Sequence, residues 1–245
     1  MTKVSVITVC KNAEDYIEET IKSVVSQTYN NIELIVIDGK STDKTLEIIN
    51  KYKSEISYFI SELDSGLYDA MNKGIEKSTG DWIIFLNAGD YLNNIETLEN
   101  IFSKIDLNNY EVIYGDEVRV STKLNKEENF LKARDIEDLW KGMVFNHNCM
   151  FAKRSSLLDS KFDTRYKIIA DFVQIFTFYY IDKKRFLYIP EVIAKIETHG
   201  YSKTKKAYLV RTLERYKFVK KYKNDLEFKK HYLITFINFF KIFFK

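Results

Sequence analysis

The first ninety residues hold four short apolar runs, each followed by a polar loop, and three groups of apolar residues at helical spacing lie between them. The runs are Val4 to Val9, Ile32 to Ile37, Ile56 to Ile60 and Trp82 to Leu86. Continuous apolar runs of this length, rich in β-branched and aromatic residues, read as strands covered on both faces, as in a parallel sheet. Between them lie Ile17, Ile21, Val24 and Val25, then Leu46, Ile49 and Tyr52, then Tyr68 to Ile75, each group with the period of a helix. Four strands alternating with three helices through short connections predict an α/β fold: a mainly parallel, doubly wound sheet with right-handed crossovers.

In such a sheet every strand's carboxyl end opens on one rim, and ligands bind there. The rim collects Cys10 and Asn12, then Asp38, then Ser61 to Asp64, then Asn87 to Asp90. Asp38 precedes Gly39, and a carboxylate facing the crevice can accept from the imide N–H of a uracil ring. Thr8, or the backbone near Cys10, would meet other edges of that base. The alternative is that Asp38 caps the next helix, a task Ser41 or Thr42 could also perform. Asp90, at the tip of Asn87-Ala88-Gly89-Asp90, stands where a metal or a phosphate-bearing ligand would be handled, or else caps a helix. Asn12 and Asp15 have the spacing of a capping box. Neither GxGxxG nor GxxxxGK[ST] occurs in these loops, so neither a dinucleotide fingerprint nor a P-loop is indicated.

Beyond Asp90 the pattern loosens. Leu98, Ile101, Phe102 and Ile105 predict a helix, Glu111 to Tyr114 a strand, and residues 117 to 135 a hairpin or loop. Asn148 to Ala152 reads as a strand, Phe172 to Tyr180 as an apolar helix, and Phe186 to Ile189 as a last strand stopped by the sole proline, Pro190. The chain divides into 1–204, a ligand-binding and catalytic unit, and 205–245, a basic, aromatic helical tail. Ala207 to Lys221 reads as basic and amphipathic. His231 to Lys245, HYLITFINFFKIFFK, is either a core or oligomer helix or one lying on a membrane surface with lysines at anionic headgroups. A formal net charge of +3 gives no basis for nucleic-acid binding. Cys10 and Cys149 lack metal-ligand spacing and fit a reduced, cytoplasmic protein. No signal-peptide pattern opens the chain and no apolar run reaches the roughly 20 residues of a membrane span, so the expected location is cytoplasmic, free or peripheral at the inner face of the plasma membrane.

VSVITVCKN, IELIVIDGKSTDKT, SELDSGLYDAMNKGI and GDWIIFLNAGD, in that order and with these gaps, resemble the family-2 type of inverting, nucleotide-sugar-dependent glycosyltransferases, especially bacterial members that build capsule and lipopolysaccharide repeat units. The resemblance is strong over about ninety residues and weaker to about residue 202. It implies a glycosyltransferase A-type fold and a Mg or Mn cation holding the sugar diphosphate of a nucleotide-sugar donor, here expected to be a UDP-sugar. By the same resemblance Asp38 contacts the base, Asp64 lies along the nucleoside, and Asp90 falls in the acidic metal motif. That motif usually has two acids one position apart; this chain has Asn87 and Gly89 beside Asp90, which puts metal dependence in question. Phe145-Asn146-His147-Asn148 resembles the acceptor-side segment, and Tyr166 to Asp171 the run into the catalytic acid. Asp171 is then the general base that deprotonates the acceptor hydroxyl, kept anionic by its place at a helix start. His147 is a candidate for orienting the acceptor or a phosphate, His199 for the metal shell, and Lys73 and Arg154 for phosphate contacts. The implied acceptor is a saccharide, growing on a polyprenyl diphosphate.

Two rivals remain from the sequence. A protein that binds nucleotide sugars without catalysis, a scaffold, is favoured by the reduced acidic motif. A nucleotidyltransferase is disfavoured because Val4 to Asn12 lacks a Gly- and Arg-rich phosphate loop.

Overall fold

The structure is a computed structural model that describes residues 1–121, 129–198, 204–222 and 237. His199 and nearly all of His231 to Lys245 lie outside the described residues, and so do the expectations placed on them. The chain order is β1 (Val4–Cys10), α1 (Ile17–Val25), β2 (Ile32–Asp38), α2 (Thr45–Lys51), β3 (Tyr58–Ser61), α3 (Leu67–Lys77) and β4 (Trp82–Phe85). It continues with β5 (Tyr91–Leu92), α4 (Thr97–Phe102), β6 (Val112–Val120), β7 (Asn129–Leu131), β8 (Met150–Lys153) and α5 (Arg154–Asp159). Last come α6 (Ala170–Phe176), β9 (Phe186–Glu197) and α7 (Lys205–Lys220).

The strands form one sheet in the order β3-β2-β1-β4-β8-β6-β9-β5, with β7 paired to β6. β1 to β4 are parallel, β8 runs antiparallel between β4 and β6, and β6 pairs in parallel with β9. This is the expected α/β class, with an antiparallel strand joining the wound half to a mixed half.

Alternate residues of the central strands feed two apolar layers. Ile7, Ile35, Ile37, Ile83 and Phe85 face α3 and α6. Val6, Leu34, Val36, Ile84 and Leu86 face α1. Both faces are covered, so apolar residues dominate both faces of these strands, and the polar positions Ser5, Thr8, Glu33 and Asp38 are buried with them. α3 lies so close to β1 that a Cβ on Gly74 would come within 2.4 Å of the Ile7 methyl. Of the expected α1 contacts, Ile17, Ile21 and Val24 are buried, but Val25 is 39% exposed. It sits at the helix end, past the last turn that touches the sheet.

Two further expectations are corrected. Asn12 and Asp15 form no capping box: α1 begins at Ile17, and Asn12 adopts a positive φ of 50°. Its side chain accepts from the Thr42 amide at 2.9 Å, clasping the β1 and β2 loops together. Nor does Pro190 end the last strand; β9 runs on to Glu197. The pairing with β6 is irregular between Tyr114 and Glu117, opposite Pro190 and Glu191, so the missing N–H falls where the ladder is already broken.

α7 packs inward. Phe218 meets Tyr166, Phe172 and Phe176 edge-on at 6.0, 6.1 and 5.0 Å. Glu214 accepts the amides of Lys167, Ile168 and Ile169 at 2.7, 3.0 and 3.3 Å, fixing the segment that leads into α6. Among the described residues no helix is long and apolar enough to cross a membrane.

At the opposite end of the sheet from the rim, buried Glu33 joins β1, β2 and β4. It accepts from Ser5, Thr79 and the Gly80 amide and pairs with Lys3 at 2.7 Å. Burial alone would raise its pKa, but Lys3, Ser5 and Thr79 more than offset that and bring it down to about 2 from 4.5. A depressed carboxylate contributes stability above its unfolded pKa and loses it as pH falls through the folded one, here between about pH 4.5 and 2. The shift corresponds to roughly 3 kcal/mol at neutral pH. Urea melts of Glu33→Gln and wild type should therefore differ by about that much at pH 7, and the difference should fall away as pH drops from about 4.5 to 2. Parallel curves over that range would refute the assignment.

Candidate active site

The rim forms where β1, β2 and β4 end. Asp38, the last residue of β2, is fully buried. One oxygen accepts from the Ser41 amide at 2.9 Å and the Ser61 hydroxyl at 2.6 Å; the other accepts from the Ser41 hydroxyl, with the Cys10 thiol at 3.6 Å. The expectation of an Asp38 carboxylate open to a base is not met here: its acceptor sites tie together the ends of β1, β2 and β3. Thr8 is likewise fully buried within β1, short of the rim, and its hydroxyl has no hydrogen-bond partner among the described residues. Cys10 is buried too; burial and then the Asp38 carboxylate push its thiol pKa up, and its carbonyl already accepts from Gly39 at 2.8 Å.

Asp64 reaches the rim more openly. A Cβ on Gly39 would fall 2.5 Å from an Asp64 oxygen and 3.3 Å from the Lys11 stem. The absent side chain lets Asp64 and Lys11 close over the β2 end. Lys73 is not open to a phosphate: it pairs with Glu62 at 2.8 Å and donates to the Leu63 carbonyl at 3.0 Å. Arg154 lies at the far end of β4, donating to the Ser78 carbonyl at 2.7 Å, because β8 runs antiparallel and α5 starts where β4 begins.

After β4 the chain turns sharply, the Asp90 amide donating to the Asn87 carbonyl at 2.8 Å. Gly89 adopts φ 104°, a conformation only glycine takes without strain. Asp90 is buried; one oxygen accepts from the Glu197 amide at 3.0 Å and the other from the Asn148 side-chain amide. Burial pushes its pKa up to about 7, against the Glu197 amide and His147 and with the Glu197 and Glu117 carboxylates. On the same turn the Asn87 side-chain oxygen is buried without a hydrogen-bond partner among the described residues. A carboxylate and a spare amide oxygen are hard donors, and they fit a cation of the Mg or Mn type that keeps waters and phosphate oxygens. Among the described residues no cluster of three or more His, Cys, Asp or Glu could enclose a metal alone.

His147 and Asn148 form a short 3-10 turn before β8 and connect Asp90 to the other carboxylate. While Asn148 donates to Asp90, His147 Nδ1 stands 3.4 Å from Asp171 Oδ2. The other Asp171 oxygen accepts from the Phe172 amide at 2.8 Å and faces the Tyr68 hydroxyl at 3.1 Å. Burial works to raise the Asp171 pKa, but His147, the Phe172 amide and Tyr68 together hold it below its ordinary value. Asp171 stays an anion with 18% of its side chain exposed, which is what a base needs to meet a hydroxyl. Tyr68 is held well above its ordinary pKa by burial and then by Asp171, and stays a donor.

Sequence reasoning missed Tyr68, Asn148 and Glu197 as parts of this constellation. Tyr68 sits at a core position of α3 and reads as packing. Asn148 lay within the quoted acceptor-side segment, and only its contact with Asp90 distinguishes it.

The α/β sheet thus sets one carboxylate after its fourth strand and joins it, through Asn148 and His147, to a second at the start of α6. The chain belongs to glycosyl transferase family 2, whose model matches residues 5–163. It is 30% identical over 172 residues to the PGL/p-HBAD biosynthesis glycosyltransferase of Mycobacterium bovis (strain BCG / Pasteur 1173P2), covering 68% of this chain and 66% of that protein. The chain thus spans slightly under two thirds of that relative. Among solved structures, Staphylococcus aureus TarS 1-349 in complex with UDP-GlcNAc superposes with a TM-score of 0.72 at 20% identity, over 97% of this chain and 73% of that one. The mannosyltransferase PcManGT from Pyrobaculum calidifontis, in complex with GDP-Man and Mn2+, gives 0.67 at 17% identity, over 98% and 69%. At these identities the likeness is one of fold.

Proposed function

We propose that this enzyme moves a sugar from a nucleoside-diphosphate donor, a UDP-sugar, to a hydroxyl of a saccharide or polyprenyl-linked acceptor with inversion, in the synthesis of a cell-surface polysaccharide. The observation that carries the reading is the continuous link from Asp90 through Asn148 and His147 to Asp171, which sets two carboxylates of different character at one mouth. Bound UDP-GlcNAc in TarS, and bound GDP-Man with Mn2+ in PcManGT, support a nucleotide-sugar donor on this fold.

In this scheme the nucleoside lies along Asp64 and Gly39, with the clasp of Asn12 and Thr42 shaping the loop beneath it. Asp38 acts from below by fixing Ser41 and Ser61, and reaches the base itself only if one of them yields its bond. Asp90 and Asn87 would hold a divalent cation, whose charge would neutralise the diphosphate as it leaves. Asp171 accepts the proton of the acceptor hydroxyl while that oxygen bonds to the anomeric carbon. The bond from that carbon to the donor phosphate oxygen breaks, and its electron pair stays on the diphosphate. His147 and Tyr68 keep the Asp171 carboxylate oriented and charged throughout.

Thermal shift with nucleoside diphosphates and Mn2+ tests the donor. UDP at 100 times its dissociation constant should add about 2.7 kcal/mol of stability, a clear rise in melting temperature, with GDP well below it. UDP-sugars should also release UDP slowly to water. Binding without turnover, even with lipid-linked acceptor supplied, would favour the scaffold; no response to any nucleoside diphosphate would sink the reading.

A further inference from the structure

Among the described residues, one cation near the base has no counter-charge. Arg215, on the inner side of α7, places its guanidinium 4.8 Å from the centre of the Phe172 ring. Phe172 follows the base in sequence, and its amide holds Asp171. Nε and Nη2 of Arg215 are buried and have no hydrogen-bond partner among the described residues. Burial, then the neighbouring Arg134, bring the Arg215 pKa down to about 10, and among the described residues no carboxylate counters either. Glu214, one position away, is committed to the amides of residues 167 to 169. Arg134 is exposed at the edge of the same place, donating to the Met143 carbonyl at 2.6 Å. Gly142, which precedes the Met143 that Arg134 holds, has φ 144°, and a Cβ there would come within 3.3 Å of Arg215 Nη1.

A buried guanidinium with two unused N–H groups is costly unless something supplies the missing acceptors. The aromatic face offsets only part of that cost. A planar fork with free donors, beside a second cation, matches the paired oxygens of a phosphate group. We propose that Arg215 and Arg134 form an oxyanion site that receives a phosphate group of the acceptor while the acceptor hydroxyl lies on Asp171. This rests on the transfer reading above for the word acceptor, though not for the site itself. The acceptor is favoured over the donor diphosphate as the source because the site adjoins Phe172, on the Asp171 side of His147, whereas Asp90 lies on the other.

The test uses the full chain and inorganic phosphate as the probe, in thermal shift, with and without saturating UDP and Mn2+. Millimolar phosphate should raise the melting temperature of wild type in both conditions. Arg215→Met should abolish that response and Arg134→Gln should weaken it. In phosphate-free buffer Arg215→Met should melt higher than wild type, by on the order of 3 °C, because a costly buried charge has been removed. Arg215→Lys separates charge from geometry: the response should fall several-fold although the charge is kept. A phosphate response unchanged in Arg215→Met, or a variant less stable than wild type without phosphate, overturns the site. A response that vanishes once UDP is bound assigns the site to the donor diphosphate and overturns the acceptor assignment. Failure of UDP to bind wild type would sink the donor reading while leaving the phosphate response to be read on its own.

Discussion

Asp171→Asn should slow glycosyl transfer by about 10³-fold while leaving UDP affinity nearly unchanged, since general-base catalysis contributes on the order of 10²–10⁴ in rate. The substitution is nearly isosteric. An amide oxygen can still accept from the Phe172 amide and Tyr68, which now meet one carboxylate oxygen at 2.8 and 3.1 Å. What is lost is the charge and the basic lone pair on the oxygen beside His147. The effect should therefore fall on kcat with acceptor present. Protonation of Asp171 should not be what limits wild-type transfer on the acid side, because Asp171 is held below its ordinary pKa whereas Asp90 is pushed up to about 7. Single-turnover measurement with a matched acceptor checks both points. A variant that keeps full transfer activity would remove Asp171 from the mechanism.

Asp90→Asn should have the second largest effect: a loss of transfer of about 10²-fold or more, with most of the response to Mn2+ gone. The stability outcome should run the other way. Asp90 is a buried carboxylate whose pKa is pushed up to about 7 by burial, with the Glu197 and Glu117 carboxylates adding to it. Asn keeps an oxygen for the Glu197 amide and lets the Asn148 amide turn over to meet an N–H. In metal-free buffer the variant is expected to be at least as stable as wild type. Such a pairing of lost activity with retained stability marks a residue kept for function at the fold's expense. If Asp90→Asn instead unfolds the protein, or transfers normally at saturating Mn2+, the cation role fails.

Much of this architecture was legible in the local pattern. β1, β2 and β4 are mostly apolar on both faces because helices cover each side of the sheet, and such runs are hard to mistake. The rim followed at once, since parallel strands must end together. Asp90 stood out from its place beyond the fourth strand, with its metal-motif role implied by the family resemblance, whereas Asp171 was singled out through the family motif alone. Other features were hidden for physical reasons. Pro190 looked like a terminator because proline lacks a donor, and only the irregular pairing with β6 shows that no donor was needed there. Asp38 looked available because a carboxylate after a strand usually is; Ser41 lies three positions on and Ser61 twenty-three, and both turn back to saturate it. Glu33, in the middle of an apolar run, gave no sign of the four partners gathered around it.

The sequence by itself determined the element types, their order and the edge of the sheet where ligands meet the chain, because hydrophobic period and turn chemistry act over a few residues. Only the tertiary structure decided which polar groups are spent on each other and which are left over. Tyr68 and Asp171 stand 103 positions apart and meet through the packing of α3 against α6. Among the described residues Arg215 has no counter-charge, because α7 folds inward and Glu214 turns to other amides. Whether a charged group is satisfied depends on every chain segment that reaches it, and no local pattern carries that information.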